Sequence, residues 1–233
     1  MKLPFWLDPQ PPRRPSLSGK HQFDVVVVGG GLSGVSTAWH LVQEGFSVAL
    51  VEARGIGFSA TGRNAGFILQ GTAERYNRAI VQMGREKARE VHAYSLENHR
   101  LMREVIENFN IDCEYQCRGS LQLASSKEEV QELLESAELL VEDGFKAVLQ
   151  EGPDLGEPYI SAGFHTGIHL PEDGELHPAL FVQNIAKLAE AKGLIIFENS
   201  PILRLESDET VTVHSEQGSI EAEVAILCTN AHL

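Results

Sequence analysis

The clearest chemical signal in the 233-residue sequence is a run of glycines followed at a fixed distance by a carboxylate. Gly29, Gly31 and Gly34 make a G-x-G-x-x-G in the stretch Gly29-Gly30-Gly31-Leu32-Ser33-Gly34, and Glu52 lies 21 positions after Gly31. Gly29 permits a tight turn, Gly31 lets the backbone approach a pyrophosphate, and Gly34 lets a helix pack closely on a strand. A helix starting near Leu32 turns unpaired N–H groups and a partial positive charge toward that anion. The Glu52 carboxylate accepts hydrogen bonds from the ribose hydroxyls of an adenosine, and it disfavours a 2′-phosphate, which argues against NADP.

A bare glycine pattern is weak evidence; its context makes it specific. Residues 23–28 are a nearly continuous apolar run holding one acid, Asp24, as in a parallel strand buried on both faces. Residues 32–44 read as a helix with Val35, Ala38, Leu41 and Val42 on one face and Gly45 at its end. Residues 47–52 read as a second buried strand. This βαβ unit alone leaves FAD and NAD both open. The following segment, Glu52-Ala53-Arg54-Gly55-Ile56-Gly57-Phe58-Ser59-Ala60-Thr61-Gly62-Arg63-Asn64-Ala65-Gly66, favours a flavin. Its small residues and hydroxyls let a ribityl chain and ring lie against the backbone, and Arg63 offers a guanidinium to phosphate charge.

Farther along, a helical stretch over residues 73–108 bends near Gly84, because glycine weakens a helix interior. Residues 114–124 have strand character, and Ser126 with Glu129 forms a capping box before an amphipathic helix ended by Gly144. Residues 163–170 are strand-like, and Pro178 opens a further helix stopped by Gly193. Short strands follow at 194–197, 202–207, 211–215, 219–222 and 224–227.

Other constellations are read more plainly. His165, His169 and His177 lie near Asp173, but they are taken as surface or substrate-side residues, with no metal site. His177 is expected to help start the helix at Pro178. His92 and His99, seven apart, are read as one solvated helix face, and no catalytic residue is assigned. Cys113, Cys117 and Cys228 are too few for a disulfide framework and suit a reducing cytoplasm, although Cys113 and Cys117 are placed on one side of a strand. The net charge of −14, from 33 acidic and 19 basic residues, disfavours nucleic acid. Arg13, Arg14 and Lys20 are read as a solvated tail. No apolar run suits a membrane span or a secretory signal, so the expectation is a soluble cytoplasmic protein.

The stretches DVVVVGGGLSG, VEARGIGFSATGRNAG, DGELHPALFVQNIAKLAEAKG and VAILCTNAHL together resemble the FAD-dependent amine and amino-acid oxidases, the group of glycine oxidase, sarcosine oxidase and D-amino-acid oxidase. The S-x-x-G-R-N-x-G form and the FWLD arm are most similar to the γ-glutamylputrescine oxidase branch. The resemblance implies that Gly29, Gly31, Ser33 and Gly34 hold the pyrophosphate, with Leu32 at the helix start. It places Glu52 on the adenosine ribose with Ala53 and Arg54 beside it, and Ser59, Ala60, Arg63, Asn64 and Gly66 along the ribityl and flavin ring. Ile202 contacts adenine through its backbone, Ser200 standing where the family usually has threonine, and Thr229 lies near the FAD phosphates.

The expected fold is therefore α/β: a Rossmann-like FAD-binding domain with a central parallel sheet and an inserted α+β substrate-side region. An extended arm covers residues 1–21, the FAD-binding domain residues 22–110 and 178–233, and a partial substrate domain residues 111–177. The resemblance implies oxidation of the C–N bond of a small amine or amino acid, imine hydrolysis, and dioxygen as acceptor giving hydrogen peroxide. A flavin dehydrogenase with another acceptor and a non-catalytic FAD-binding module remain open. Family members usually continue with further substrate-domain strands, so the fold is expected to be incomplete at the C-terminus: a fragment, a truncated gene product, or one subunit of a split enzyme.

Overall fold

The computed structural model describes residues 5–7 and 13–231. The chain runs β1 (Gly19–Val28), α1 (Leu32–Gln43), β2 (Val48–Val51), β3 (Phe67–Ile68), α2 (Tyr76–Met83), α3 (Arg85–Asn108), β4 (Ser120–Leu123) and α4 (Lys127–Glu142). It continues through β5 (Val148–Glu151), α5 (Glu157–Ser161), β6 (Thr166–Leu170), β7 (Gly174–Glu175), α6 (Pro178–Ala191), β8 (Ile195–Phe197), β9 (Arg204–Ser207), β10 (Val211–His214) and β11 (Gly218–Leu227). Short 3-10 turns occur at Phe5–Leu7, Ala60–Arg63 and Gly152–Leu155.

Two units form. The first comprises Met1–Ala65 and His177–Leu233, the second Gly66–Leu176. In the first, six strands run in the order β8-β2-β1-β11-β10-β9. β1 pairs in parallel with β2 and β11, and β2 with β8; β10 and β9 add antiparallel. Val25 to Val28 are all buried because β1 has a strand on either side there. Asp24 ends that run: its carboxylate accepts the Ser47 N–H at 2.7 Å and fixes the turn into β2. Successive strand residues face opposite sides, so Val26, Val28, Ala49 and Val51 share one core with Phe197, Ile220 and Leu17. Residues 219–222 and 224–227, expected as two strands, are one ten-residue strand, since the whole stretch pairs with β1.

β1 also begins at Gly19, inside the expected arm, and Leu17 is fully buried, an apolar contribution of about 2 kcal/mol. Residues 13–17 therefore line the fold. Arg14 is no solvated tail: its guanidinium forks onto Glu190 at 2.7 and 2.9 Å. Of the FWLD motif, Phe5–Leu7 form a 3-10 turn with Leu7 buried, and Asp8 lies outside the described residues.

In the second unit, β4-β6-β5 make an antiparallel sheet and β3-β7 a small ribbon. Helices α2 and α4 share a core with β6 through Tyr76, Ala79, Leu133, Leu140, Ile168 and Leu170. Residues 66–110 pack here rather than with the glycine-motif unit where they were expected, because the apolar faces of α2 and α3 meet this core. Gly84, at φ +83°, breaks the helical stretch as expected. The strand expected over 114–124 is confined to Ser120–Leu123. Ser126 accepts the Glu129 N–H at 3.2 Å, but the Glu129 carboxylate takes the amide and hydroxyl of Ser125, so the reciprocal half of the capping box lies one residue upstream.

Cys113 is buried and Cys117 exposed, so they share no face, and the three cysteines are free thiols. His92 and His99 are buried, not solvated. The His92 Nε2 lies 3.2 Å from Gln70 Oε1, and its ring packs on Tyr76 and Phe145. Burial, with the charge of His99, lowers the His92 pKa from 6.5 to about 4. The unfolded chain thus takes up this proton first. The stability is complete above pH 6.5 and falls as pH drops toward 4, by up to about 3 kcal/mol. Urea midpoints measured at pH 7 and 4.5 are expected to show this loss, and His92→Gln to flatten it.

Candidate functional site

At the end of β1 the chain must turn sharply. Gly29 does so at φ +114°, and a Cβ there would stand 2.4 Å from the Cys228 carbonyl oxygen. A Cβ on Gly34 would stand 1.9 Å from the Gly29 carbonyl oxygen, so α1 rests directly on the turn. Gly31 differs: its Cβ would meet only the Thr61 hydroxyl, at 3.2 Å. The backbone over Gly31 is open.

Gly31 is also the N-cap of α1 and offers no side chain to its first amides. The Leu32 N–H donates to Thr61 Oγ1 at 3.0 Å. Among the described residues no acceptor engages the amides of Ser33 and Gly34. Two unpartnered amides at the positive end of a helix, beside a glycine without side chain, are the donor set that a diphosphate takes. The residues present thus fit the pyrophosphate of a dinucleotide.

Glu52 closes β2. Its Oε2 accepts the Gly30 N–H at 2.7 Å and its Oε1 the Arg54 N–H at 2.8 Å. Each oxygen keeps lone pairs for a further donor. The structure therefore brings Glu52 onto the glycine turn itself. Gly30 and Thr61 were missed in the sequence. Gly30 is required because a Cβ would stand 2.6 Å from Ile56 Cδ1 and 2.9 Å from Glu52 Cβ. The signal for Thr61 was weak: a hydroxyl among several in one small-residue stretch.

The following loop is held by its own groups. Gly57 N–H donates to Gly30 O at 2.8 Å. The Phe58 ring lies under two guanidiniums, Arg54 at 5.1 Å and Arg63 at 5.3 Å. Ser59 and Ala60 are exposed. The Asn64 side chain donates to the carbonyls of Ala60 and Thr61, closing the 3-10 turn, while the Asn64 backbone carbonyl accepts the Trp6 indole N–H at 2.8 Å. Ala53 is exposed beside Arg54. The Ser200 amide donates to Glu52 O at 3.0 Å, which brings residues 198–202 alongside; Ile202 itself packs on the apolar cluster of Phe197. Thr229 follows Cys228, whose amide donates to Val28 O at 2.7 Å next to the glycine turn. Gly66, at φ +79°, belongs to the second unit.

The histidines expected on the surface or substrate side separate. His165 is exposed, His169 Nε2 lies 3.2 Å from Arg118 O, and Asp173 is buried in a network of its own. His177 does cap α6: its Nδ1 accepts the Leu180 N–H at 3.1 Å. Among the described residues no helix is long and apolar enough to cross a membrane.

A parallel βαβ unit with an open glycine turn and a carboxylate ending the second strand defines a dinucleotide-binding fold of the α/β class. Residues 24–233 match the family described as DAO, FAD dependent oxidoreductase, and the chain belongs to that family, whose cofactor is FAD. It is 30% identical over 222 residues to the "Probable oxidoreductase OrdL" of Haemophilus influenzae, covering 94% of this chain and 51% of that protein. It is 29% identical over 211 residues to the gamma-glutamylputrescine oxidoreductase of Escherichia coli, covering 90% of this chain and 49% of that one. The structure of glycine oxidase from Geobacillus kaustophilus superposes with a TM-score of 0.73 at 20% identity, covering 89% of this chain and 55% of that one. The chain spans about half the length of the curated relatives it matches.

Proposed function

We propose that this chain is the FAD-binding part of an oxidoreductase acting on the C–N bond of a small amine or amino acid. The observation that carries the reading is the Glu52 carboxylate hydrogen-bonded to Gly30 beside the open Gly31 turn. It joins a ribose acceptor and a pyrophosphate cradle in one loop. The names of the similar proteins, a gamma-glutamylputrescine oxidoreductase and a glycine oxidase, support the substrate class.

FAD, when bound, supplies the two-electron acceptor. The chain's own residues bind and orient it. The amides of Ser33 and Gly34, with Gly29 and Gly31, take the diphosphate, and Thr229 borders it. Glu52 accepts from the adenosine ribose, with Ala53, Arg54 and Ile202 about the adenosine. Ser59, Ala60, Arg63 and Asn64 line the ribityl and ring. The net reaction takes the amine, dioxygen and water to a carbonyl compound, the released amine or ammonia, and hydrogen peroxide. Three free thiols support a cytoplasmic location.

The purified chain is expected to show flavin absorption bands that acid precipitation releases. Amine-dependent oxygen uptake by the flavin-loaded protein then supports an oxidase. Turnover only with an added dye acceptor replaces it with a dehydrogenase, and bound flavin without any turnover reduces the chain to a binding module. A folded, colourless protein that takes up no added FAD rejects the cofactor assignment for this chain.

A further inference from the structure

Glu198 is a carboxylate with only 2% of its surface exposed, and nothing in the reading above uses it. Its Oε1 accepts the Ile56 N–H at 2.8 Å and its Oε2 the Arg14 N–H at 2.9 Å. The Arg14 guanidinium approaches the same carboxylate at 3.4 Å while forking onto Glu190. Burial alone would lower the Arg14 pKa, but Glu190 and Glu198 outweigh it and hold the pKa above its ordinary value. Gln183 completes the cluster, donating to Ile56 O at 2.7 Å. Every polar group on Ile56 is thus held by a side chain from α6 or from the turn after β8.

The same segments grip the residues between Glu52 and Ile56. Arg13 Nη1 donates to Arg54 O at 2.7 Å, and the Asn199 amide reaches the same oxygen at 3.0 Å. Ser200 N–H donates to Glu52 O, and Ser200 Oγ accepts the Leu17 N–H at 2.8 Å. Gly55 leaves the space for this arrangement: a Cβ there would stand 1.9 Å from Arg13 Nη1. Glu52 therefore has its carboxylate aimed by Gly30 and Arg54, while the backbone that carries it is fastened from the N-terminal side by residues 13–17.

We propose that residues 13–17 and Glu198 form a clamp that fixes the 52–56 turn for the adenosine half of FAD, with Arg14, Arg13 and Glu198 as positioning residues. The proposal rests on the FAD reading above. Arg14 ties the buried carboxylate to α6, and that carboxylate in turn holds the Ile56 amide. A loosened turn leaves the Glu52 carboxylate free to rotate off the ribose, so nucleotide affinity falls although no residue touching the nucleotide has changed.

The test uses the 233-residue chain with Arg14→Met, Arg14→Lys, Gly55→Ala, and Arg78→Gln as a control that breaks an exposed pair with Glu132 in the second unit. Amide exchange at Ile56 is measured without nucleotide, and Kd values are measured for FAD and for ADP. Arg14→Met is expected to speed Ile56 exchange and to weaken FAD and ADP by the same factor, tenfold or more, the loss expected for charge-assisted hydrogen bonds. Arg14→Lys falls between, because an ammonium cannot make the fork. Gly55→Ala displaces only the flexible end of Arg13, so matched losses of about threefold to tenfold are expected at an unchanged melting temperature. A structural role alone would not produce that last result. If Arg14→Met does not fold, Arg14→Lys and Gly55→Ala decide the matter. Unchanged Kd values with faster Ile56 exchange overturn the clamp and leave the FAD reading intact. A folded wild type that binds neither FAD nor ADP overturns the FAD reading and, with it, the proposal.

Discussion

Replacing Gly34 with alanine is expected to raise the Kd for FAD at least a hundredfold and to lower the melting temperature. The added Cβ would stand 1.9 Å from the Gly29 carbonyl oxygen and 3.4 Å from Cys228 Cβ. The oxygen belongs to the backbone of a turn set between β1 and α1, so no side-chain rotation relieves the clash. Helix α1 must lift, and overpacking of this kind costs about 1–3 kcal/mol or more. The lift also moves the Ser33 and Gly34 amides, which the proposed function assigns to the diphosphate. Gly31→Ala gives the contrast. Its Cβ meets only a rotatable hydroxyl at 3.2 Å, so the fold should melt near the wild-type temperature. The methyl group still projects over the open backbone, so FAD binding should fall while stability holds. Thermal melts and flavin fluorescence titrations on the two variants distinguish these outcomes. A Gly34→Ala protein with wild-type values for both would mean that α1 does not rest on the glycine turn.

The glycine turn was legible because its constraints are local. Gly29, Gly31 and Gly34 are fixed by one strand–turn–helix joint, and Glu52 by the next strand end, so spacing alone conveys where they stand. His177 as a helix cap was legible for the same reason, since Pro178 and the Leu180 amide lie within one turn. The charged clamp was not. Arg14 meets Glu198 across 184 positions and Glu190 across 176, and no periodicity links such partners. Near a proline-rich terminus, Arg13 and Arg14 look like a solvated tail, and only the pairing of β8 with β2 brings Glu198 under them. His92 and His99 misled for a related reason. Seven residues apart on a polar-looking helix, they satisfy a solvated face and a buried one equally; the neighbours of His92 are Gln70, Tyr76 and Phe145 and that of His99 is the Glu172 carbonyl, all of which lie elsewhere in the chain. The unit boundary was misplaced because helical periodicity reports that α2 and α3 have an apolar side, not which sheet it covers.

In the second unit the largest loss of stability is expected from Asp173→Ala. Asp173 is 1% exposed and sits at the turn between β6 and β7. Its Oδ1 accepts the Gln70 N–H at 2.8 Å and its Oδ2 the Ser120 hydroxyl at 2.5 Å. The first bond ties down the segment after β3 and the second the start of β4. The chain reaches farther still, because Gln70 Oε1 meets the buried ring of His92. Alanine strands a buried amide and a hydroxyl together, each worth about 1–3 kcal/mol, so a total loss of about 2–6 kcal/mol is expected. Asparagine keeps one acceptor and turns an NH2 toward the other donor, so Asp173→Asn should lose about 1–3 kcal/mol. Ser120→Ala removes a donor and leaves one carboxylate oxygen unpaired, a smaller effect at a partly exposed site. Urea denaturation at pH 7 checks the order through the midpoint at constant slope. The Asp173→Ala, Ser120→Ala cycle should show coupling, since the second substitution removes a group that the first has already stranded. Equal stability for Asp173→Ala and Asp173→Asn would show that the amide and hydroxyl find other acceptors once the carboxylate is gone, and the turn would then be held by its backbone bonds, Gly119 N–H to Asp173 O at 2.9 Å among them.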